Sequence, residues 1–265
     1  MSNAPPIFIG GLMKSGTSLL RKLLGRHPRI FAGLETHWFA DDLWVSFKDV
    51  ETKRAVWVRE FYGVAEEDHR RLALEATSAP DFLHRFLGHC AAAEGKPRWL
   101  EKTPDNIFHL DRIWESWAGS QVFHVVRDPR DVWASWKRNQ KSDLPTFLAK
   151  AQGALAAAEA HLGTQSERYA EVRYEALVRE PAETLRAACA FLQEDYDDGL
   201  ADYAGDRADY EKVLKVTGKR SATAESLQKP IFQSSVGSWA ESLGASEAQR
   251  IQEALPTYGA LWGYW

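Results

Sequence analysis

A lysine, closely spaced glycines and three hydroxyl residues occur together near the start of the chain, in Gly10-Gly11-Leu12-Met13-Lys14-Ser15-Gly16-Thr17-Ser18. Such a set suits a phosphate-type anion: Gly16 lets the backbone approach closely, Thr17 and Ser18 add hydroxyl donors, and Lys14 supplies positive charge. A second concentration of anion-binding groups is Arg127-Asp128-Pro129-Arg130-Asp131-Val132-Trp133-Ala134-Ser135. If a turn at Pro129 folds a helix back toward Arg127, that arginine and Ser135 can face one anion. Glu35 is a candidate proton acceptor, with His37 and His27 as rivals, although His27 precedes Pro28 at a helix end and suits a structural role. Lys102, in Glu101-Lys102-Thr103-Pro104, is a further cation. Taken alone, Arg127 with Asp128 also fits a plain salt bridge, and Glu35 also fits the acidic first turn of a helix.

The elements needed to position these groups are legible in the hydrophobic pattern. Ile7, Phe8 and Ile9 form a short apolar run ending at Gly10-Gly11, which reads as a buried strand entering a glycine turn. Leu19, Leu20, Leu23 and Leu24 share one face from Thr17 to Arg26 and predict a helix that His27-Pro28 stops. The unpaired N–H groups and positive dipole end of that helix then meet the anion. Ile30 to Gly33 predicts a second strand, so the chain opens as strand, helix, strand, the start of a parallel α/β sheet. Glu35 thereby falls just beyond a strand's carboxyl end, where open α/β sheets bind ligands.

Arg98–Lys102 and Gln121–Val126 read as further strands, separated by a helix carrying Ile107, Leu110, Ile113, Trp114 and Trp117. Leu148, Ala151, Leu155, Ala158 and Leu162 mark a long amphipathic helix, and Tyr169–Arg173 another strand. Leu185, Ala188, Cys189 and Leu192 define a later helix face on which Cys189 reads as a small core residue. From Thr36 to Glu94 several helices are expected, with a break at Pro80-Asp81. Trp38, Phe39, Trp44, Phe47 and Trp57 in this stretch are either core or an apolar wall for a second ligand. The acidic segment Glu194–Glu211 reads as a solvated loop, or alternatively as a patch selecting basic ligands.

Composition bounds the rest. A chain of 265 residues with 45% hydrophobic and 26% charged residues is an ordinary folded protein, and one domain is the default. The net charge of −4 lacks the broad basic field that nucleic acid requires, so any anion site is local. Cys90 and Cys189 are the two cysteines, without zinc spacing or a disulfide framework, which fits a reducing compartment. No signal-type segment and no run of ~18 apolar residues is present. The expectation is a cytoplasmic protein without a membrane span.

ATP- and GTP-binding loops read GxxxxGK[ST], with lysine after the glycine. Here Lys14-Ser15 precedes Gly16-Thr17-Ser18. That order after a strand resembles the 5′-phosphosulfate loop of sulfotransferases that use 3′-phosphoadenosine 5′-phosphosulfate (PAPS). Arg127 through Ser135 is similar to the family's 3′-phosphate motif. Tyr174 in Val172-Arg173-Tyr174-Glu175-Ala176-Leu177 is similar to a KYEDL segment whose tyrosine touches adenine, with Ala176 in place of the aspartate. Glu101-Lys102-Thr103-Pro104 resembles the family's EKTP segment. The first 40 residues look most like the branch of tyrosylprotein and bacterial sulfotransferases, in which the acidic residue two after the glycine, here Glu35, is the catalytic base. One departure is Val236-Gly237-Ser238-Trp239, where many members carry a basic residue beside the tryptophan. Ser235, Lys229, Arg220 and Lys219 are candidates to compensate for Ser238.

The resemblance implies an α/β, P-loop-like three-layer fold with a central parallel sheet flanked by helices. It implies one sulfotransferase domain over residues 1–265, with a helical acceptor-binding block at about 36–95. The activity implied is in-line transfer of a sulfuryl group from PAPS to a hydroxyl-type acceptor, without a metal. Lys14, Ser15, Gly16, Thr17 and Ser18 would hold the 5′ side of the donor, Arg127 and Ser135 its 3′-phosphate, and Tyr174 its adenine. Glu35 would take the acceptor's proton, while Lys14 and Lys102 stabilise developing charge. The alternatives are a P-loop kinase, which would need Mg²⁺, and a catalytically silent nucleotide-binding protein, suggested by Ser238.

Overall fold

The apolar runs form a five-stranded sheet in which every neighbouring pair is parallel: β1 (Ile7–Gly11), β2 (Ile30–Ala32), β3 (Arg98–Lys102), β4 (Gln121–Val126) and β5 (Tyr169–Arg173). Their spatial order is β2-β3-β1-β4-β5. Ile9 lies opposite Lys102 on one side and Phe123 on the other, which sets β1 at the centre. The chain is described by a computed structural model over residues 4–39, 49–139, 143–162, 167–218 and 220–265.

Strand side chains alternate between two cores. Phe8 packs with Trp38, Trp99 and Trp117 on one face, whereas Ile7 and Ile9 pack with Leu20, Leu23 and Leu24 on the other. Burial on both faces explains the unbroken apolar start of β1 (Ile7–Phe8–Ile9), whereas β3 (Arg98–Lys102) buries charged residues with partners and β5 (Tyr169–Arg173) alternates at the sheet edge. The helices covering them are α1 (Thr17–Leu24), α2 (Lys53–Tyr62), α3 (Glu66–Glu75), α4 (Ala79–Ala93), α5 (Leu110–Ser116), α6 (Pro129–Asn139), α7 (Leu144–His161), α8 (Tyr174–Arg179) and α9 (Pro181–Leu192). The remainder comprises α10 (Ala208–Thr217), α11 (Ala222–Ser226), α12 (Trp239–Ser242), α13 (Ala245–Ala254) and α14 (Pro256–Trp262). The result is the three-layer, P-loop-like α/β architecture. None of the described helices is long and apolar enough to cross a membrane.

Several expectations need correction. The break expected at Pro80-Asp81 falls earlier, because Ser78 caps the N–H of Asp81 and Pro80 sits in the first turn of α4, where its missing N–H costs nothing. The helix expected around Ile107 begins as a 3₁₀ turn over Pro104–His109 before α5. Trp38 and Phe39 are buried in the core, and Trp57 packs against it; Trp44 and Phe47 lie outside the described residues. The acidic stretch 194–211 is only partly a solvated loop, since Tyr203 is buried and Asp206 and Asp209 pair with Lys22 and Arg21 of α1. Cys189 is a buried core thiol, and burial pushes it up to about 11, an unreactive setting.

Candidate active site

The glycine loop leaves the carboxyl end of β1 and closes on itself when the Ser15 N–H donates to the Leu12 carbonyl (3.0 Å). Lys14 takes φ 73°, a left-handed conformation uncommon for a residue with a Cβ, and Gly16 takes φ 106° before α1 begins at Thr17. A Cβ on Gly16 would stand 2.4 Å from Cδ2 of Tyr174, so glycine here is a packing requirement as well as a conformational one. Met13, Lys14, Gly16, Thr17 and Ser18 face a cleft of about 820 Å³, within the usual range of ligand sites. Ser15 does not: its side chain is buried beneath the loop with an unpaired hydroxyl, and its N–H is consumed by the turn.

Arg127 follows β4 directly and reaches the same cleft. Its guanidinium donates to the Lys14 carbonyl (3.0 Å) and the Ser235 carbonyl (2.6 Å) and lies 4.3 Å from the Tyr174 ring centroid. Nε of Arg127 is buried without a hydrogen-bond partner. Asp128 pairs with Arg130 at 2.7 Å and not with Arg127, so the plain salt-bridge reading of that dipeptide fails. Ser135 enters the cleft from α6, with Arg138 one turn further on the same face. Tyr174 lines the cleft and its hydroxyl meets Ser235 Oγ at 2.6 Å.

Glu35 stands beyond β2, and its neighbours are held by a buried anchor. Glu101 Oε1 accepts from the N–H and hydroxyl of Thr36 (3.1 and 2.9 Å) and from the Thr103 hydroxyl (2.7 Å), while its Oε2 accepts from Asn106 (2.7 Å). Glu35 Oε1 pairs with the Lys102 ammonium, which also donates to Ser18 Oγ at 3.0 Å, and Oε2 lies 3.1 Å from His37 Nε2. Burial alone would raise the Glu35 carboxyl, but Lys102 and His37 overcome it and hold it well below the usual carboxylate range. Burial lowers the Lys14 ammonium from its ordinary value; Glu35 opposes this and Lys102 adds to it. His27 bonds the Asp195 carbonyl (2.9 Å) and the Arg29 N–H (3.1 Å), a structural role.

The outer wall comes from residues 203–235, and none of the described residues of 36–95 lines the cleft. Lys14 Nζ donates to Thr223 Oγ1 (2.9 Å), and Arg21 and Lys22 pair with Asp209, tying this wall to the loop and α1. Ser238 does not replace a basic residue. Its hydroxyl donates to Asp131 Oδ1 (3.2 Å), and the N–H groups of Gly237 and Trp239 donate to the same carboxylate. Ser235 and Lys229 do line the cleft, Arg220 does not, and Lys219 lies outside the described residues. Sequence reasoning missed Thr223, Arg138, Arg207 and the Glu101 anchor, none of which sits in a recognisable anion motif.

The model of the Sulfotransferase family matches residues 5–198, most of the chain. The chain belongs to this family. Among relatives of this sulfotransferase-family chain, a protein-tyrosine sulfotransferase of Drosophila melanogaster is 23% identical over 272 residues, covering 98% of the chain. The chain spans about half, 52%, of that relative's length. In fold it is similar to the sulfotransferase domain of the Synechococcus PCC 7002 olefin synthase, with a TM-score of 0.69 at 20% identity, covering 95% of this chain and 94% of that one. A mouse sulfotransferase in complex with PAP is also similar, with a TM-score of 0.53 at 14% identity over 98% of this chain and 86% of that one.

Proposed function

We propose that this chain, acting as one domain over residues 1–265, transfers a sulfuryl group from PAPS to a hydroxyl-type acceptor. The observation carrying this reading is that the Lys14–Ser18 loop, Arg127, Ser135 and Tyr174, remote in sequence, line one cleft with Glu35. The mouse structure with PAP, the desulfonated donor, is consistent with a donor of this kind. Thr17, Ser18 and the first N–H groups of α1 receive the 5′-phosphate, as helix N-termini do for anions. Arg127 and Ser135, which line the cleft together, receive the 3′-phosphate. Gly16 and Tyr174 shape the loop against which the nucleotide lies.

Sulfuryl transfer leaves little covalent work to the protein, so positioning and charge stabilisation supply the acceleration. Lys14 and Lys102 place two cations where negative charge develops on the transferring group. Glu35 contributes the negative charge that favours removal of the acceptor's proton. The test is ligand-induced stabilisation. 3′,5′-Diphosphoadenosine should raise Tm far more than AMP, because each charge-assisted hydrogen bond to the 3′-phosphate is worth ~1.5 to 3 kcal/mol. Equal shifts would remove Arg127 and Ser135 from the donor site. Labelled PAPS offered to peptide, sugar, lipid and small-molecule alcohols would then identify the acceptor class.

A further inference from the structure

Arg127 stands one residue beyond the end of β4, so the peptide joining it to Asp128 lies past the strand. A buried peptide must still find partners, and here side chains supply both. Its carbonyl accepts from the Tyr258 hydroxyl (3.2 Å), and its N–H donates to Glu175 Oε1 (3.0 Å). Glu175 Oε2 accepts in turn from the Tyr264 hydroxyl (3.0 Å). Tyr264 meets the same turn a second time, because its carbonyl accepts from Arg130 (3.2 Å), whose guanidinium pairs with the Asp128 carboxylate (2.7 Å). The bonds close a ring through Asp128, Glu175, Tyr264 and Arg130. Tyr264 reaches this ring because Gly263, at φ 68°, ends α14 and lets the Tyr264 N–H bond back to the Gly259 carbonyl (2.8 Å), a glycine helix ending that reverses the chain.

We propose that Tyr258 and Tyr264 are positioning residues for the donor's 3′-phosphate: by holding the Arg127–Asp128 peptide they fix the root of the Arg127 side chain and so set the preference for a 3′-phosphorylated nucleotide. This rests on the reading of Arg127 and Ser135 given above. The Lys14 and Ser235 carbonyls already fix the far end of the guanidinium, and the two tyrosines complete the arrangement at its base. Neither tyrosine, nor Glu175, lines the cleft, so all three act through Arg127 and the turn that follows it. Preorganisation of this kind strengthens binding by sparing the arginine a search for its geometry when the anion arrives.

The experiment titrates 3′,5′-diphosphoadenosine and AMP against wild type, Tyr258→Phe, Tyr264→Phe and Glu175→Gln, with melting temperature measured alongside. Each phenylalanine keeps its ring and loses one hydrogen bond. Affinity for the diphosphate should fall about threefold to tenfold in each, while affinity for AMP stays within about twofold. Glu175→Gln should keep the preference, since its amide oxygen can accept from Asp128 and its amide N–H can donate to Tyr264. Should one phenylalanine variant fail to fold, the other carries the same test. Phenylalanine variants that lose both nucleotides equally, or lose melting temperature alone, show a purely structural pair and overturn the proposal. So do variants that keep the wild-type preference, and so does a glutamine variant that loses it, since charge would then be the cause. Wild-type protein that binds both nucleotides alike overturns the 3′-phosphate reading and this proposal together.

Discussion

Lys14 lines the cleft and its ammonium holds Thr223 across it. Lys14→Ala should therefore abolish turnover and weaken 3′,5′-diphosphoadenosine binding together, whereas added Mg²⁺ should change the rate of neither protein. Steady-state kinetics with and without the metal check this, and strict Mg²⁺ dependence would favour a kinase. Glu35→Gln separates chemistry from architecture, since the amide keeps size and hydrogen bonding but not charge. Turnover should fall about 10² to 10⁴ with nucleotide affinity near wild type, read from kcat and a binding titration. A structural Glu35 would give the reverse, with stability lost and the rate per folded molecule kept.

Among the elements, the junction of β1, the glycine loop and α1 is the most constrained. Gly16 has φ 106° and would drive a Cβ into the Tyr174 ring, so Gly16→Ala must displace that ring or the loop. The variant should lose nucleotide affinity more than melting temperature, because the strain falls on a loop outside the two cores; calorimetric titration against a thermal melt distinguishes these. Much of this junction could be read from sequence. The apolar runs in β1 and β4 and the glycine pair predict strand, turn and helix, because strands buried on both faces leave few other patterns. Chain segments whose order depends on partners were harder. Pro80 reads as a helix break in sequence, yet a proline is equally at home in a first turn, and only the Ser78 cap distinguishes the two.

For the whole molecule, the interior strand β4 carries a histidine that must stay neutral. Burial lowers His124 from its ordinary value of 6.5 to about 3, and its Nδ1 lies 2.7 Å from the Tyr169 hydroxyl. Between these values the unfolded chain binds a proton that the native state refuses, so stability falls as pH drops through that window. His124→Gln should lose less melting temperature than wild type between about pH 7 and pH 4, even if it starts lower at neutral pH. Differential scanning calorimetry across that range checks it. A variant that tracks wild type in slope would mean that other groups, the paired carboxylates among them, carry the acid sensitivity.

What the sequence determined by itself was the local chemistry and its element: the Lys14–Ser18 loop before a helix, Arg127 at a strand end, Ser135 on the following helix, and Glu35 beyond a strand. These follow from short-range rules, because strand period, helix caps and anion-binding turns are set by residues within a few positions of one another. Tertiary structure alone decided which of those groups meet. Ser15 was expected in the site but is buried beneath it, since one turn residue must supply the hydrogen bond that closes the loop. The outer wall at 203–235, the contact of Lys14 with Thr223 and the capture of Ser238 by Asp131 join segments about a hundred residues or more apart. No local pattern encodes such pairings, which are selected by the packing of both faces of the sheet and by the need to satisfy every buried charge.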